Sequence, residues 1–199
     1  MNYGILISYI VAGFLMITIL TITYNVTYSN QEVTTTLTKS NHTQAVKDII
    51  MHDIPKIGYQ KKSVLSTIFS KADSNEISFY SNIDDQGSVE LVTWKYTNTP
   101  APGSKNPNDR ILERSVNGDV TEITNGVTHF KINYYDTYGS DTPLPTPISG
   151  SNYDDIVQIE VEMELQSEYE LSYDINDPGD YVSTSWRKRF SPVNLRPNN

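Results

Sequence analysis

GILISYIVAGFLMITILTIT, residues 4–23, is a run of twenty residues without a charge, and it decides how the rest of the chain is read. A helix rises about 1.5 Å per residue, so a run of this length spans about the 30 Å of a bilayer's hydrocarbon core. Three readings compete. A cleaved secretory signal carries a basic head and a shorter apolar core, whereas here the first basic residue is Lys39. A plain single-pass anchor is the second reading. The third is the apolar half of a longer helix that anchors the chain first and packs against equivalent helices later, with Ile10, Phe14 and Ile17 as its membrane and packing residues. Gly4 and Gly13 do not form a GxxxG pair, so no helix-dimer motif of that kind is present.

Outward from this run the chain is polar. Of the 199 residues, roughly 150 to 175 remain for a single domain with a proper core. The net charge of -9 repels phosphate backbones and argues against nucleic acid as a partner. The absence of Cys removes disulfides, thiolate metal sites and thiol nucleophiles. Fourteen Tyr against five Phe suggest a half-buried sheet with many ring-plus-hydroxyl positions. The three residues ahead of the run are too few to fold, so the domain is expected outside the cytoplasm, as part of a single-pass membrane protein.

Residues 24–42 are Thr-rich and make a poor helix by propensity, since β-branched side chains lose rotamer freedom there. They read as a stalk or as a polar continuation of the first helix. Residues 43–54 are amphipathic, with Val46, Ile49, Ile50 and Ile54 at helical spacing and Ile57 extending the face. Pro55 stops or kinks the helix. The expected organisation is an apolar helix over 1–24, a polar continuation over 25–58, and an antiparallel sheet domain over 59–199.

Strands are expected at 76–81 and 88–96, joined by a four- or five-residue turn, then at 110–116, 127–135, 155–166 and 183–190. Residues 97–109 and 136–152 are rich in Pro, Asn and Gly and read as loops, the first of them mobile. In the clearest strand, Val157, Ile159, Val161, Met163 and Leu165 share one face, opposite Gln158, Glu160, Glu162, Glu164 and Gln166. That period of two predicts one buried and one solvated face. Such a sheet needs a cover, and residues 43–54 are the best helical candidate.

Catalytic constellations are missing from the pattern. His42 and His52 lie about 280° apart around a helix, and His129 alternates opposite Phe130 onto a solvated face. No HExxH, GxSxG or phosphate-binding glycine loop is present. The Glu160, Glu162, Glu164 row reads as a solvated acidic face, and Arg187-Lys188-Arg189 beside Trp186 as an exposed basic edge. Asp174, Asn176, Asp177 and Asp180 form the densest oxygen-ligand cluster. Calcium takes six to eight oxygens, so calcium is the one cofactor the sequence offers, although the EF-hand Gly and terminal Glu are lacking.

Several stretches, in order, carry a family resemblance: AVKDIIMHDIPKIGY (residues 45–59), ISFYSNIDDQGSVELVTWKY, ILERSVNGDVTEITNGVTHFKINYYDTYG, DIVQIEVEMEL and RFSPVNLRPN. Within them Leu112, Arg114, Gly126, Val127, Phe130, Tyr135, Asp136 and Gly139 stand where the family has a Leu-x-Arg strand, a Gly-Val pair and an aromatic strand closing in Tyr-Asp-x-x-Gly. Over residues 45–199 the chain resembles the minor pilins and pseudopilins of the type IV pilus and type II secretion machinery, in particular PilW-like minor pilins and J-type minor pseudopilins. The resemblance implies an α+β pilin-like fold: a long N-terminal hydrophobic helix packed on an antiparallel β-sheet with long Pro-rich loops. It implies a non-enzymatic subunit that primes or caps a filament. The partners implied are other pilins or pseudopilins, the inner membrane and assembly platform proteins.

The start of the chain departs from that pattern. Family members usually carry a basic leader and a Glu at the fifth mature position, whereas no acidic residue precedes Glu32 here. Counting back from Gly58-Tyr59 puts the usual mature start near Met1, so the leader is expected to be absent from this chain or left unprocessed. A membrane-tethered binding module or adhesin, using loops 97–109 and 136–152 and exposed tyrosines, is the alternative function.

Overall fold

A computed structural model of the chain describes residues 3–59, 67–171 and 180–195. The chain forms two compact units, Met1–Thr38 and Lys39–Asn199. One helix, α1 (Tyr3–Asp53), supplies all the described structure of the first unit and the opening of the second. The Thr-rich stretch is therefore helical despite its propensity. Nucleation is the costly step of helix formation, and weak formers each cost less than about 0.7 kcal/mol relative to Ala. With a strong helical segment on either side and no Gly or Pro between Gly13 and Pro55, the helix propagates through. Pro55 then tightens the chain into a 3-10 turn, Ile54–Lys56.

The second unit is built on two antiparallel sheets rather than the single sheet expected. The first holds β1 (Phe69–Ala72), β2 (Glu76–Ser81), β3 (Glu90–Pro100), β4 (Arg110–Val116) and β5 (Asp119–Ile123), in that spatial order. The second holds β6 (Val127–Tyr135), β7 (Gln158–Leu171) and β8 (Asp180–Phe190), again in chain order. The β2–β3 connection is an eight-residue loop, 82–89, longer than the four or five residues expected. Buried Glu90 organises it, accepting from the Ile83 N–H at 3.0 Å and from the Ser88 hydroxyl.

The core joins the two sheets and the last turns of α1. Val46, Ile50, Ile54 and Ile57 are buried together with Phe79, Val92 and Trp94 of the first sheet and Ile132, Val161 and Met163 of the second. Ile49 falls off this stripe and is exposed. Across the sheets Trp94 stacks on Phe130 at 6.5 Å between centroids, and the Tyr96 hydroxyl donates to the Thr128 carbonyl at 2.6 Å. The Tyr134 hydroxyl donates to the Asp73 carbonyl at 2.9 Å. A close-packed interface with the Tyr96 and Tyr134 hydroxyls satisfied is what fixes one arrangement of the sheets.

Candidate functional site

The first unit is a candidate membrane and packing surface. Over Tyr3–Asn30 the helix is long and apolar enough to cross a membrane, and none of it is buried within the protein. Ile10, Phe14 and Ile17 are all exposed. The polar side chains on this stretch are prepared for an apolar surrounding. The hydroxyls of Ser8, Thr18 and Thr21 each donate to the carbonyl four residues back, those of Gly4, Phe14 and Ile17, at 2.9 Å. A hydroxyl bonded within its own helix needs no water, which is the condition for placing it in hydrocarbon. Tyr24 stacks on Tyr28 at 6.5 Å where the sequence turns polar, a position that suits amphipathic rings at a membrane interface.

At the other end of α1 the structure assembles a cluster that sequence reasoning missed. Asp53 is fully buried. Its Oδ2 accepts from Trp94 Nε1 at 2.9 Å and from Arg114 Nε at 2.7 Å, and its Oδ1 accepts from Arg114 Nη2 at 3.1 Å. A carboxylate opposes the dipole at a helix C-terminus, and a lone buried charge is costly. The forked guanidinium answers both problems by pairing with both oxygens. One signal was available: Asp53 lies three residues after Ile50 and seven after Val46, on the apolar stripe. The partners on β3 and β4 are set by the fold alone.

The outer face of the second sheet corrects the solvated acidic row. Glu160 is only 8% exposed. It accepts from Arg189 at 3.3 Å and from the Tyr135 hydroxyl at 3.2 Å, and the Arg189 guanidinium lies 3.8 Å over the Tyr135 ring. Glu162 accepts from Arg187 at 3.0 Å and from Asn133 at 2.8 Å. Because β7 and β8 are antiparallel neighbours, with Glu160 opposite Arg189 and Glu162 opposite Arg187, these two members of the acidic row and two of the basic run neutralise each other, while Glu164 faces Ser185. Lys188 stands opposite Val161 and is exposed.

Residues 101–109 are not a mobile loop. β3 continues to Pro100, and the loop beyond it is held on β7: Asn106 Nδ2 donates to the Ser167 carbonyl at 3.0 Å and Asn108 Nδ2 to Gln166 Oε1 at 3.3 Å. Beside this loop lies an open polar groove of about 420 Å³, adjoined by a second depression of about 560 Å³, with His129 and Glu164 lining both. Three of the four register irregularities among the described strand pairs surround the groove. They fall between Tyr96 and Pro100, between Val127 and His129, and between Gln166 and Glu170. Gly126 leads into the second with φ +83°, and a Cβ there would meet the Gln166 carbonyl oxygen at 2.3 Å. Bulges re-aim side chains and concentrate next to sites of function.

Of the proposed calcium ligands, Asp174, Asn176 and Asp177 lie outside the described residues, and Asp180 is exposed at the head of β8. Among the described residues no three His, Asp or Glu side chains gather as a metal site. His52 and His129 are both exposed, and the His42 side chain is outside the described set. Comparison of the chain with protein-family models, curated proteins and solved structures finds no match.

Proposed function

We propose that this protein is a non-enzymatic, minor pilin-like subunit that primes or caps a type IV pilus or type II secretion filament. The observation that carries the reading is α1. The side chains of its apolar run, residues 4–23, are exposed, and the same helix ends with an apolar stripe buried in the sheet unit. An exposed apolar surface of this size calls for lipid or other apolar helices around it. In this reading the inner membrane covers it first and neighbouring pilins or pseudopilins cover it in the filament, with assembly platform proteins drawing it from one to the other. The ordered resemblance over residues 45–199 points the same way.

The test is deletion of the gene with imaging of surface filaments alongside an assay of secreted protein. Loss of filaments supports a priming pilin, and intact filaments with lost secretion support a pseudopilin. Intact filaments with intact secretion sink the proposal. A complementing chain whose residues 4–23 are replaced by a Leu run separates anchoring from packing. It is expected to reach the membrane and fail to restore assembly, whereas a simple anchor would tolerate the exchange.

A second reading, a membrane-tethered extracytoplasmic binding module, is favoured by the polar groove beside loop 101–109.

A further inference from the structure

We infer that this groove binds a neutral oligosaccharide, an assignment that rests on the binding-module reading and not on filament assembly. Asn98 sits inside the β3 irregularity and His129 just after the β6 bulge. Both side chains are exposed, and neither makes a hydrogen bond to another described residue. Arg110 is anchored through Nη1 to the Pro107 and Asp109 carbonyls at 2.7 and 2.8 Å, which leaves its remaining N–H groups as donors. Glu164 Oε1 accepts from Gln166 Nε2 at 3.2 Å, and its second oxygen remains an acceptor. Amide, imidazole, guanidinium and carboxylate groups therefore bring donors and acceptors together on one lining.

The chemistry of the lining discriminates between ligand classes. In the first depression an apolar ligand finds little to bury against, because its aromatic ring, Tyr96, is half-buried and packed on Phe130, while the second adds Met163 and the half-buried Trp186 ring. A peptide partner normally needs its anchor held in a closed pocket, and both depressions are open. An anion such as phosphate meets the Glu164 carboxylate beside Arg110. A sugar hydroxyl is both donor and acceptor, so several hydroxyls match this mixed lining without adding a charge. The two depressions share His129 and Glu164, so the lining extends beyond either one.

The full-length chain is reconstituted in lipid nanodiscs, free of glycoside detergent, and titrated calorimetrically with chitotriose, maltotetraose and mannotriose after a screen on a glycan array. Saturable, weak binding of at least one neutral oligosaccharide is expected. Asn98→Ala and His129→Ala should each weaken it at least about tenfold, a loss of about 1.4 kcal/mol at 25 °C. Both should leave the melting temperature and the filament and secretion phenotypes unchanged. Binding that survives the double variant, or an array without a neutral hit, overturns the assignment. A peptide-library hit that depends on Asn98 would overturn the saccharide and keep the binding module. Absence of both kinds of ligand would remove the module as well.

Discussion

Asp53 is the residue on which the end of α1 depends. Removing one partner of a buried ion pair costs about 3–5 kcal/mol, because the other charge is stranded. Arg114→Leu is therefore expected to lower stability by about that amount, read by thermal or denaturant unfolding. The double variant Asp53→Leu/Arg114→Leu should recover most of the loss, since apolar pairs often replace buried ions at little cost. Tyr134 gives a pH signature. Burial, with the nearby Asp73 carboxylate adding to it, pushes its phenol well above the ordinary value of 10.0. Burial raises Tyr96 as well. The folded state favours the neutral phenol, while the unfolded chain ionises at the ordinary value. Stability is thus intact below about pH 10 and falls as the pH rises above it. Tyr134→Phe should flatten that alkaline decline, measured as the melting temperature across pH 9 to 11. At this scale the sequence was partly legible. Asp53 on an apolar stripe was a visible anomaly, whereas its bonds to Trp94 and Arg114 span 41 and 61 residues of chain and follow no local pattern.

Among the elements, α1 shows how far a pattern can be trusted. The stripe of Val46, Ile50, Ile54 and Ile57 was readable because burial repeats at the helical period. Ile49 fitted the same count and is nevertheless exposed. The two make a matched pair: Ile50→Ala should cost about 2–5 kcal/mol through the cavity it leaves, and Ile49→Ala less than about 0.5 kcal/mol. Chemical denaturation of both variants decides it. β6 and β7 were legible because each has one face in the core. β5 was not, because four of its five residues are exposed and no alternation marks it. β1 is four residues long, with an irregular register against β2. Such edge strands are defined by the neighbour they pair with, and pairing is not written in a short window.

For the whole molecule, the first unit's surface is a requirement on its surroundings. Phe14 lies midway along the apolar stretch, and a charge near the centre of a spanning helix costs about 2.5–3.5 kcal/mol on insertion scales. Phe14→Asp should shift the full chain out of the carbonate-resistant membrane fraction, quantified by immunoblot, while Phe14→Leu should leave it there. The apolar run was the most legible feature of all, since twenty uncharged residues need no partner to be recognised. The groove was the least. It exists because irregularities in separate strand pairs converge, and each depends on a register that only the assembled sheets possess.

The Asp53 cluster is also a mechanical joint. Its carboxylate holds β3 through Trp94 and β4 through Arg114 at the same time. A pull delivered to the last turn of α1 therefore enters two neighbouring strands together. Bonds loaded in parallel divide the force between them, so the joint resists tension better than either contact would by itself.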